Sequence, residues 1–323
     1  MTPKDLKISV IIPTYNRANY LNKLLERLSD QSIDKNTYEV IVVDNNSIDN
    51  TKKIVNKYMK SNKIFIQYIF EKRQGLHFSR HTGAKVSNSE ILAYIDDDAI
   101  CNENWLEELL KIYVDESIGC AGGKIIIRWD KKVPSWVIPY EGVLGRLDYG
   151  QKSRILNHDE YINGANFSIR KKVLFDVGGF NPDQIGDHLI GDGETGLCKK
   201  LYKKSIKIAW IPNAIVWHIQ IVSKNATKID IKRRFINNGI ADAYAFYKEK
   251  KYGKFNLLIN SFKSLANSFR YKLYSLLQRI IKNDNWYRYE MSSVYCLSKA
   301  IYQLRIIFNR KLRKMVLEEN WIK

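Results

Sequence analysis

The stretch ILAYIDDDAI, residues 91–100, decides the fold, because an apolar run ends there in three consecutive carboxylates. The run at 91–95 predicts a buried β-strand. Asp96, Asp97 and Asp98 follow where that strand would reach the surface. Two like charges 4 Å apart repel by about 4 kcal/mol at an effective dielectric constant of about 20. We therefore expect a positively charged partner from outside the sequence beside these aspartates.

Similar apolar runs precede this strand and alternate with segments whose apolar residues have helical spacing. The predicted elements are strands at 8–12, 38–43, 64–70 and 91–95, and helices at 19–28, from 49 to about 58, and around 84–86. Strands that alternate with helices are typical of a mainly parallel sheet covered by helices on both faces. The sequence therefore predicts an α/β fold of the Rossmann-like kind.

Polar clusters follow three of these strands, at residues 13–16, 44–47 and 96–98. The carboxyl ends of parallel strands lie on one edge of a sheet, and ligands bind outside that edge. We therefore expect the three clusters to converge on one binding site.

From about residue 119 the pattern loosens into strands and loops rich in Gly and aromatic residues. A helix is predicted at 195–202, and two short strands are predicted at 206–210 and 214–217. This change suggests that residues 1–118 and 119–225 form two halves of one domain.

The composition is that of a folded chain, with 45% hydrophobic and 27% charged residues among 323. The four cysteines are far apart and form no CxxC pair, so reduced thiols are expected. The N-terminus lacks the apolar run of a signal peptide, and no window of about 18 apolar residues occurs. A cytoplasmic location is expected.

The formal charge of +19 is concentrated at the C-terminal end. Residues 221–323 contain 22 Lys and Arg against 7 Asp and Glu, which leaves +4 for the first 220 residues. Within this segment, residues 226–323 are predicted to form a basic helical extension. Its apolar residues recur at helical spacing and form a stripe at Leu258, Phe262, Leu265, Phe269, Leu273, Leu276 and Ile280. The stripe is expected to pack on protein in part, and contact of the basic faces with an anionic membrane is the second hypothesis for this region.

The ordered motifs resemble those of the family 2 glycosyltransferases, which have the GT-A fold. The matching segments are VIIPTYNR at 10–17, VIVVDNNSIDNT at 40–51, GLHFSRHTGA at 75–84, AYIDDDA at 93–99, NGANFSIRKKVLFDVGGF at 163–180, GDGETGLCKKL at 191–201 and AIVWH at 214–218. The resemblance implies transfer of a sugar from a nucleotide diphosphate donor, usually with Mg²⁺ or Mn²⁺ and with inversion. Such an ion would supply the charge expected beside Asp96–Asp98, because carboxylate and diphosphate oxygens suit both metals.

The resemblance also assigns residues to the donor. It implies that Asp98 binds the metal, that Asp96 contacts the ribose, and that Asp97 lies in the same site. The other implied donor contacts are Asp44 with the base, Pro13, Thr14 and Tyr15 as the pocket wall, and Arg80 beside the diphosphate. His81 departs from the family pattern, which has Asn there. The simpler alternatives are a solvated acidic turn at 96–98 and a helix N-cap or an Asx-turn at Asp44.

Attack by an acceptor hydroxyl requires a base, and the resemblance implies Glu194, with Asp192 as the alternative. Gly164 and Asn166 would approach the donor sugar or the acceptor, and His218 would be a further metal ligand. Each has a structural alternative: helix capping for Glu194 and Asp192, a plain turn for residues 163–166, and a structural role for His218.

The expected partners are a nucleotide-diphospho-sugar, with UDP as the favoured carrier, and a hydroxyl acceptor such as a lipid-linked glycan. An anionic membrane surface is the further expected partner, which would make the location peripheral on the inner face of the membrane. No nucleic acid is expected, because no recognisable RNA or DNA motif occurs. A non-catalytic nucleotide-binding or nucleic-acid-binding protein and a nucleotidyltransferase are the competing functions.

Overall fold

The structure, a computed structural model, describes residues 5–185, 188–189, 191–250, 253–283 and 285–323. The strands in this part of the chain are β1 (Ile8–Thr14), β2 (Tyr38–Asp44), β3 (Ile66–Phe70), β4 (Ile91–Tyr94), β5 (Ala99–Cys101), β6 (Ile118–Trp129), β7 (Arg154–Ile155), β8 (Phe167–Arg170), β9 (Gln184–Ile185), β10 (His188–Leu189) and β11 (Lys207–Gln220). The α-helices are α1 (Ala18–Ser29), α2 (Thr51–Ser61), α3 (Leu76–Val86), α4 (Trp105–Ile112), α5 (Lys171–Asp176), α6 (Gly193–Lys203), α7 (Val222–Asn225), α8 (Lys228–Lys250), α9 (Lys254–Ile280), α10 (Trp286–Phe308) and α11 (Arg310–Val316). Two 3₁₀ segments lie at Ser135–Leu144 and Gly164–Asn166.

Among the described residues, nine strands form one sheet in the order β3-β2-β1-β4-β8-β6-β11-β5, with β7 paired to β11. Strands β1 to β4 are mutually parallel. Strand β8 then runs antiparallel to both of its neighbours, and β6 and β11 are parallel to each other. The sheet is therefore parallel in the first half, as predicted, and mixed in the second.

Helices cover both faces of the sheet, and each face has its own apolar core. On one face Ile8, Val10 and Ile12 pack with residues of α1, α2 and α4. On the other face Ile11 and Val43 pack with residues of α3, α5 and α6. Every residue of β1 and β2 is buried, as the continuous apolar runs predicted.

The second half of the sheet differs from the prediction at β11. Two short strands were expected, but one strand of 14 residues runs from Lys207 to Gln220. Its pairing with β6 shifts register between Ile211 and Val216, so Pro212 and Asn213 lie in an irregularity of a continuous strand. Because of this irregularity, the local sequence pattern resembles two short strands and does not reveal that the strand is continuous.

The C-terminal region is helical, as expected, but the apolar stripe of α9 does not face a core. Phe262, Phe269 and Ile280 expose 61%, 66% and 76% of their surface. The buried residues of α9 are Leu257, Ser261, Ser268 and Ser275. Packing on protein is therefore confined to part of the stripe, such as Leu258, which packs on the core that α8 and α10 form.

The end of the chain packs on the domain that residues 1–225 are predicted to form. The Trp321 amide donates to the Gly178 carbonyl at 2.8 Å, and Ile322 is buried in the core formed with α3, α5 and α6. The division into residues 1–225 and 226–323 stays a prediction, and this contact ties the two regions together. No helix in the described part of the chain has the length and apolar character needed to cross a membrane.

Candidate active site

A cleft of about 970 Å³ opens at the carboxyl edge of β1 and β4, where the polar clusters were predicted to meet. Its walls include Thr14, Arg17, Asp96, Asp98 and His218. The Thr14 hydroxyl donates to Asp97 at 2.7 Å, and the Asn45 amide donates to the Thr14 carbonyl at 2.9 Å. The three clusters therefore lie together, as expected from parallel strands.

Asp96, Asp98 and His218 each point one donor atom into a shared space, and these atoms lie within 4.8 Å of one another. The pairing of β11 with β5 brings His218 opposite Ala99, and the Ile219 amide donates to the Asp98 carbonyl at 2.9 Å. This strand register, from distant segments of the sequence, puts the imidazole beside the carboxylates.

The charges of this cluster depend on each other. Burial alone would raise the pKa of Asp98, but the hydrogen bond and charge of His218, together with Arg17, lower it. Burial would lower the pKa of His218, but its contact with Asp98, at 3.1 Å, raises it. Two carboxylates and one imidazole are donors that suit Mn²⁺, and two carboxylates suit Mg²⁺. The residues therefore fit the divalent ion that the resemblance implies.

Arg17 is a site residue that the sequence analysis did not select. Its guanidinium contacts the carboxylates of Asp97, at 3.0 Å, and Asp98. It lies within the VIIPTYNR motif, but the motif does not reveal that Arg17 reaches the neighbouring strand. The charge that the three aspartates require comes in part from this residue.

The residues predicted to contact the nucleotide-sugar donor differ in their burial and in the hydrogen bonds that their side chains already make. Asp97 is buried and held by Thr14 and Arg17, and burial raises its pKa. Asp44 is also buried, and it accepts hydrogen bonds from the Tyr68 hydroxyl at 2.7 Å and the Ser47 amide at 2.8 Å. Pro13 and Thr14 are buried, and Tyr15 is half exposed at the cleft.

Arg80 does not present an open guanidinium, in contrast to the expectation of a diphosphate contact. It is fully buried, and it contacts Glu194 at 3.2 Å and Asp183 and Asp96 at 3.8 Å. Burial would lower its pKa, but these carboxylates raise it. Arg80 therefore links the predicted base to the carboxylate cluster.

Glu194 lies in the first turn of α6 and points toward this cluster. One carboxylate oxygen accepts from Arg80 and the other accepts from the Gly164 amide at 3.2 Å. Glycine at 164 lets the Arg80 guanidinium lie against the backbone, because a Cβ at this position would overlap it and Arg80 would have to shift. The backbone of residue 164 therefore does approach the site, through Glu194.

Asp192 has a different environment, although it is only two residues away. Its side chain is buried, accepts from the Asn181 amide at 2.7 Å, and faces Lys199, Lys200 and Lys248. Burial raises its pKa. The cavity beside it lies between α6, α8 and the chain end rather than at the aspartate cluster.

Asn166 is a correction to the sequence prediction. Its side chain is completely buried, donates to the Lys124 and Ala214 carbonyls, and accepts from the Trp105 indole. All of its hydrogen-bonding atoms are therefore used inside the sheet, and its side chain has a structural role instead of a contact with sugar.

Basic residues of α7 and α8 also line the cleft: Lys224, Arg233 and Arg234. Asp230 forms ion pairs with both arginines, at 2.8 Å to Arg234. The sequence shows this basic cluster, but only the packing of α8 places it at the cleft.

His81 is the residue that departs from the family pattern. It is buried and accepts a hydrogen bond from the Phe180 amide at 2.9 Å, and burial lowers the pKa of its imidazole well below the usual range.

Comparison with known proteins agrees with this geometry. The family model "Glycosyl transferase family 2" matches residues 9–178. Glycosyltransferase AglE of Haloferax volcanii is 28% identical over 211 residues, which are 65% of this chain and 66% of that protein. Glucosyl-dolichyl phosphate glucuronosyltransferase of the same organism is 26% identical over 209 residues, or 62% and 64% of the two chains. The chain thus spans slightly less than two thirds of these relatives.

Solved structures share the fold. The mannosyltransferase PcManGT from Pyrobaculum calidifontis in complex with GDP-Man and Mn²⁺ superposes with a TM-score of 0.64 at 18% identity, covering 94% of this chain and 88% of that one. Residues 1–349 of S. aureus TarS in complex with UDP-GlcNAc give a TM-score of 0.56 at 16% identity, covering 93% and 92%. The predicted GT-A fold with a helical C-terminal region is confirmed. Since the family model also matches more than half of the chain, the protein belongs to glycosyl transferase family 2.

Proposed function

We propose that the protein is an inverting glycosyltransferase that depends on a divalent cation and moves a sugar from a nucleoside diphosphate to a hydroxyl group. One observation carries the proposal: Arg80 contacts both Glu194 and Asp96, so the base position adjoins the cluster of Asp96, Asp98 and His218. A base next to a cation site is the arrangement that this reaction requires.

Asp98 and His218, with Asp96, would hold Mg²⁺ or Mn²⁺. The bound ion would neutralise the diphosphate and act as a Lewis acid for the leaving oxygen. Arg17, Lys224 and Arg233 line the same cleft and would attract the diphosphate electrostatically. Tyr15 and the edge near Asp44 would enclose the nucleoside.

Glu194 would take the proton from the acceptor hydroxyl. As that O–H bond breaks, the acceptor oxygen forms a bond to the anomeric carbon, and the bond from that carbon to the diphosphate oxygen breaks with its electron pair. Attack opposite the leaving group inverts the anomeric centre. Arg80 and the Gly164 amide would hold the Glu194 carboxylate in a fixed orientation.

UDP is the carrier that we propose, and the acceptor that we propose is a lipid-linked glycan. The name of one relative, glucosyl-dolichyl phosphate glucuronosyltransferase, supports an acceptor of this kind. The cations of α7 and α8 at the cleft could meet a phosphate on such an acceptor. A cytoplasmic enzyme attached peripherally to the inner face of the membrane would reach it.

The test is a panel of UDP-, GDP- and dTDP-sugars with Mn²⁺, with Mg²⁺ and with EDTA, scored for release of nucleoside diphosphate. We expect release from at least one UDP-sugar that stops in EDTA, and an inverted product in NMR spectra. Release of pyrophosphate from a nucleoside triphosphate and a sugar phosphate would instead assign a nucleotidyltransferase. Turnover that is the same with and without EDTA would contradict the proposed role of the cation.

A further inference from the structure

Helix α9 exposes a continuous apolar surface along its whole length. We call this surface the α9 apolar face; its members are Phe255, Ile259, Phe262, Phe269, Leu273, Leu276, Leu277 and Ile280, and each is exposed. Seven of them recur at spacings of three, four or seven residues, and Leu277 adjoins Leu276, which places all eight on one side of a helix of 27 residues. Such a long exposed apolar stripe is characteristic of an interaction surface.

The orientation of α9 is fixed by its opposite side. Ser261, Ser268 and Ser275, seven residues apart, are buried. The Ser268 hydroxyl bonds to the Ser293 carbonyl at 2.9 Å, and the Ser275 hydroxyl bonds to the Trp286 carbonyl at 3.0 Å. Small hydroxyl side chains thus face the protein while large apolar ones face outward, the reverse of a helix that covers a core.

The charge of α9 indicates what covers this face. The helix contains five basic residues and no acidic residue. Lys272 and Arg279 pair with Glu290 of α10. Lys263 and Arg270 flank the apolar face, are exposed, and have no carboxylate partner in the described part of the chain. A surface of apolar and basic residues is complementary to anionic lipid, in which phosphates surround an apolar interior.

A second copy of the chain fits less well. Pairing two α9 apolar faces would bring two sets of unpaired cations together, and like charges across an interface oppose association. The helix is also short of the apolar character needed to cross a bilayer. A helix lying in the plane of the lipid surface satisfies both the apolar and the basic residues.

We propose that the α9 apolar face docks on an anionic lipid bilayer, with its phenylalanines at the level of the head groups and acyl chains and with Lys263 and Arg270 on lipid phosphates. This inference deepens the proposed membrane location. It rests only on the proposed membrane location and not on the proposed sugar transfer. Vesicle binding is measured without a sugar donor, so membrane docking and sugar transfer can fail separately.

The test is flotation of the full chain with vesicles of phosphatidylcholine and with vesicles of equal parts phosphatidylglycerol and phosphatidylcholine. We expect binding to the anionic vesicles only, and release at high salt. Phe262→Ser combined with Phe269→Ser should weaken binding about tenfold or more, and Lys263→Gln combined with Arg270→Gln about tenfold. Val114→Ser, which changes an exposed apolar residue after α4, should bind like the wild type.

The altered side chains are exposed, so the variants should fold, which circular dichroism checks. Anionic vesicles that bind the phenylalanine variant as tightly as the wild type would overturn the proposal. So would a wild-type dimer in analytical ultracentrifugation that this variant converts to monomer while neither binds vesicles, because that result would assign the face to a second copy.

Discussion

Glu194 and Asp192 are two residues apart, yet only Glu194 contacts Arg80 beside the aspartate cluster. We predict that Glu194→Gln lowers kcat about 10²- to 10⁴-fold, because the amide cannot accept the acceptor proton. The KM for the donor should change little. Asp192→Asn should keep kcat within a few-fold, because this carboxylate is held by Asn181. Initial rates with the donor that the panel identifies give kcat and KM for both variants. A large loss of kcat in Asp192→Asn alone would make Asp192, and not Glu194, the base.

Gly164 allows Arg80 to reach Glu194. Gly164→Ala places a methyl group against the guanidinium, so Arg80 must move away from its carboxylates. We predict a loss of about 1–3 kcal/mol in the free energy of unfolding and a lower kcat. Gly142→Ala is the matched control, because a Cβ there meets no atom of the described residues within 4 Å. Urea unfolding measures the free energy of unfolding, and steady-state rates measure kcat. Equal values of both for Gly164→Ala and Gly142→Ala would contradict the role of Gly164.

The residue types of the candidate site could be predicted, but not all of their contacts. Asp96, Asp98 and His218 were selected from sequence, and the pairing of β11 with β5 brings His218 to the two aspartates that follow β4. The burial of Asn166 and the contacts of Arg17 were missed. Those contacts depend on pairing between strands that are distant in sequence, and local pattern does not contain the register.

At the scale of elements, α6 is joined to the chain end by a buried lysine. Lys200 donates to the Gly179 carbonyl at 2.9 Å and the Glu319 carbonyl at 3.0 Å. Burial, and then the charge of Lys248, lowers its pKa from 10.5 to about 7. Between these values the unfolded state binds more protons than the folded state. The contribution of Lys200 to the free energy of unfolding therefore rises with pH across this window.

We predict that the free energy of unfolding of the wild type rises by about 2 kcal/mol between pH 7 and pH 9 relative to Lys200→Met. Methionine removes the titrating amine, so that variant lacks the rise whatever its stability at pH 7. Lys203→Met changes an exposed lysine of the same helix and should follow the wild type. Denaturant unfolding across this pH range measures the slopes, and parallel slopes for wild type and Lys200→Met would refute the prediction.

The elements themselves were largely predictable, since continuous apolar runs and helical spacing located β1, β2, β4 and α6 to within a few residues. Strand β11 was divided in two because its irregularity at Pro212 resembles a break. The stripe of α9 was found, but periodicity shows only that a helix has an apolar face. The packing of Ser268 and Ser275 on α10 shows that this face points away from the protein.

At the scale of the whole molecule, the C-terminal region shares a core with the sheet and helices of residues 1–225. Ile322, which is 4% exposed, packs beneath the sheet near Gly179. We predict that Ile322→Ala lowers the free energy of unfolding by about 2–5 kcal/mol. Leu317→Ala, in the same segment but 39% exposed, should cost much less. Chemical denaturation compares them, and equal losses would mean that the chain end does not stabilise the fold as described.

The central claim is that Asp98, with Asp96 and His218, holds the divalent cation that meets the donor diphosphate. Electron paramagnetic resonance of free Mn²⁺ measures this directly, with UDP present, for wild type, Asp98→Asn and the exposed control Glu116→Gln. We predict that wild type and Glu116→Gln take up Mn²⁺ with equal affinity, and that Asp98→Asn weakens uptake by about 10- to 100-fold or more. Equal uptake of Mn²⁺ by Asp98→Asn and the wild type would contradict the claim.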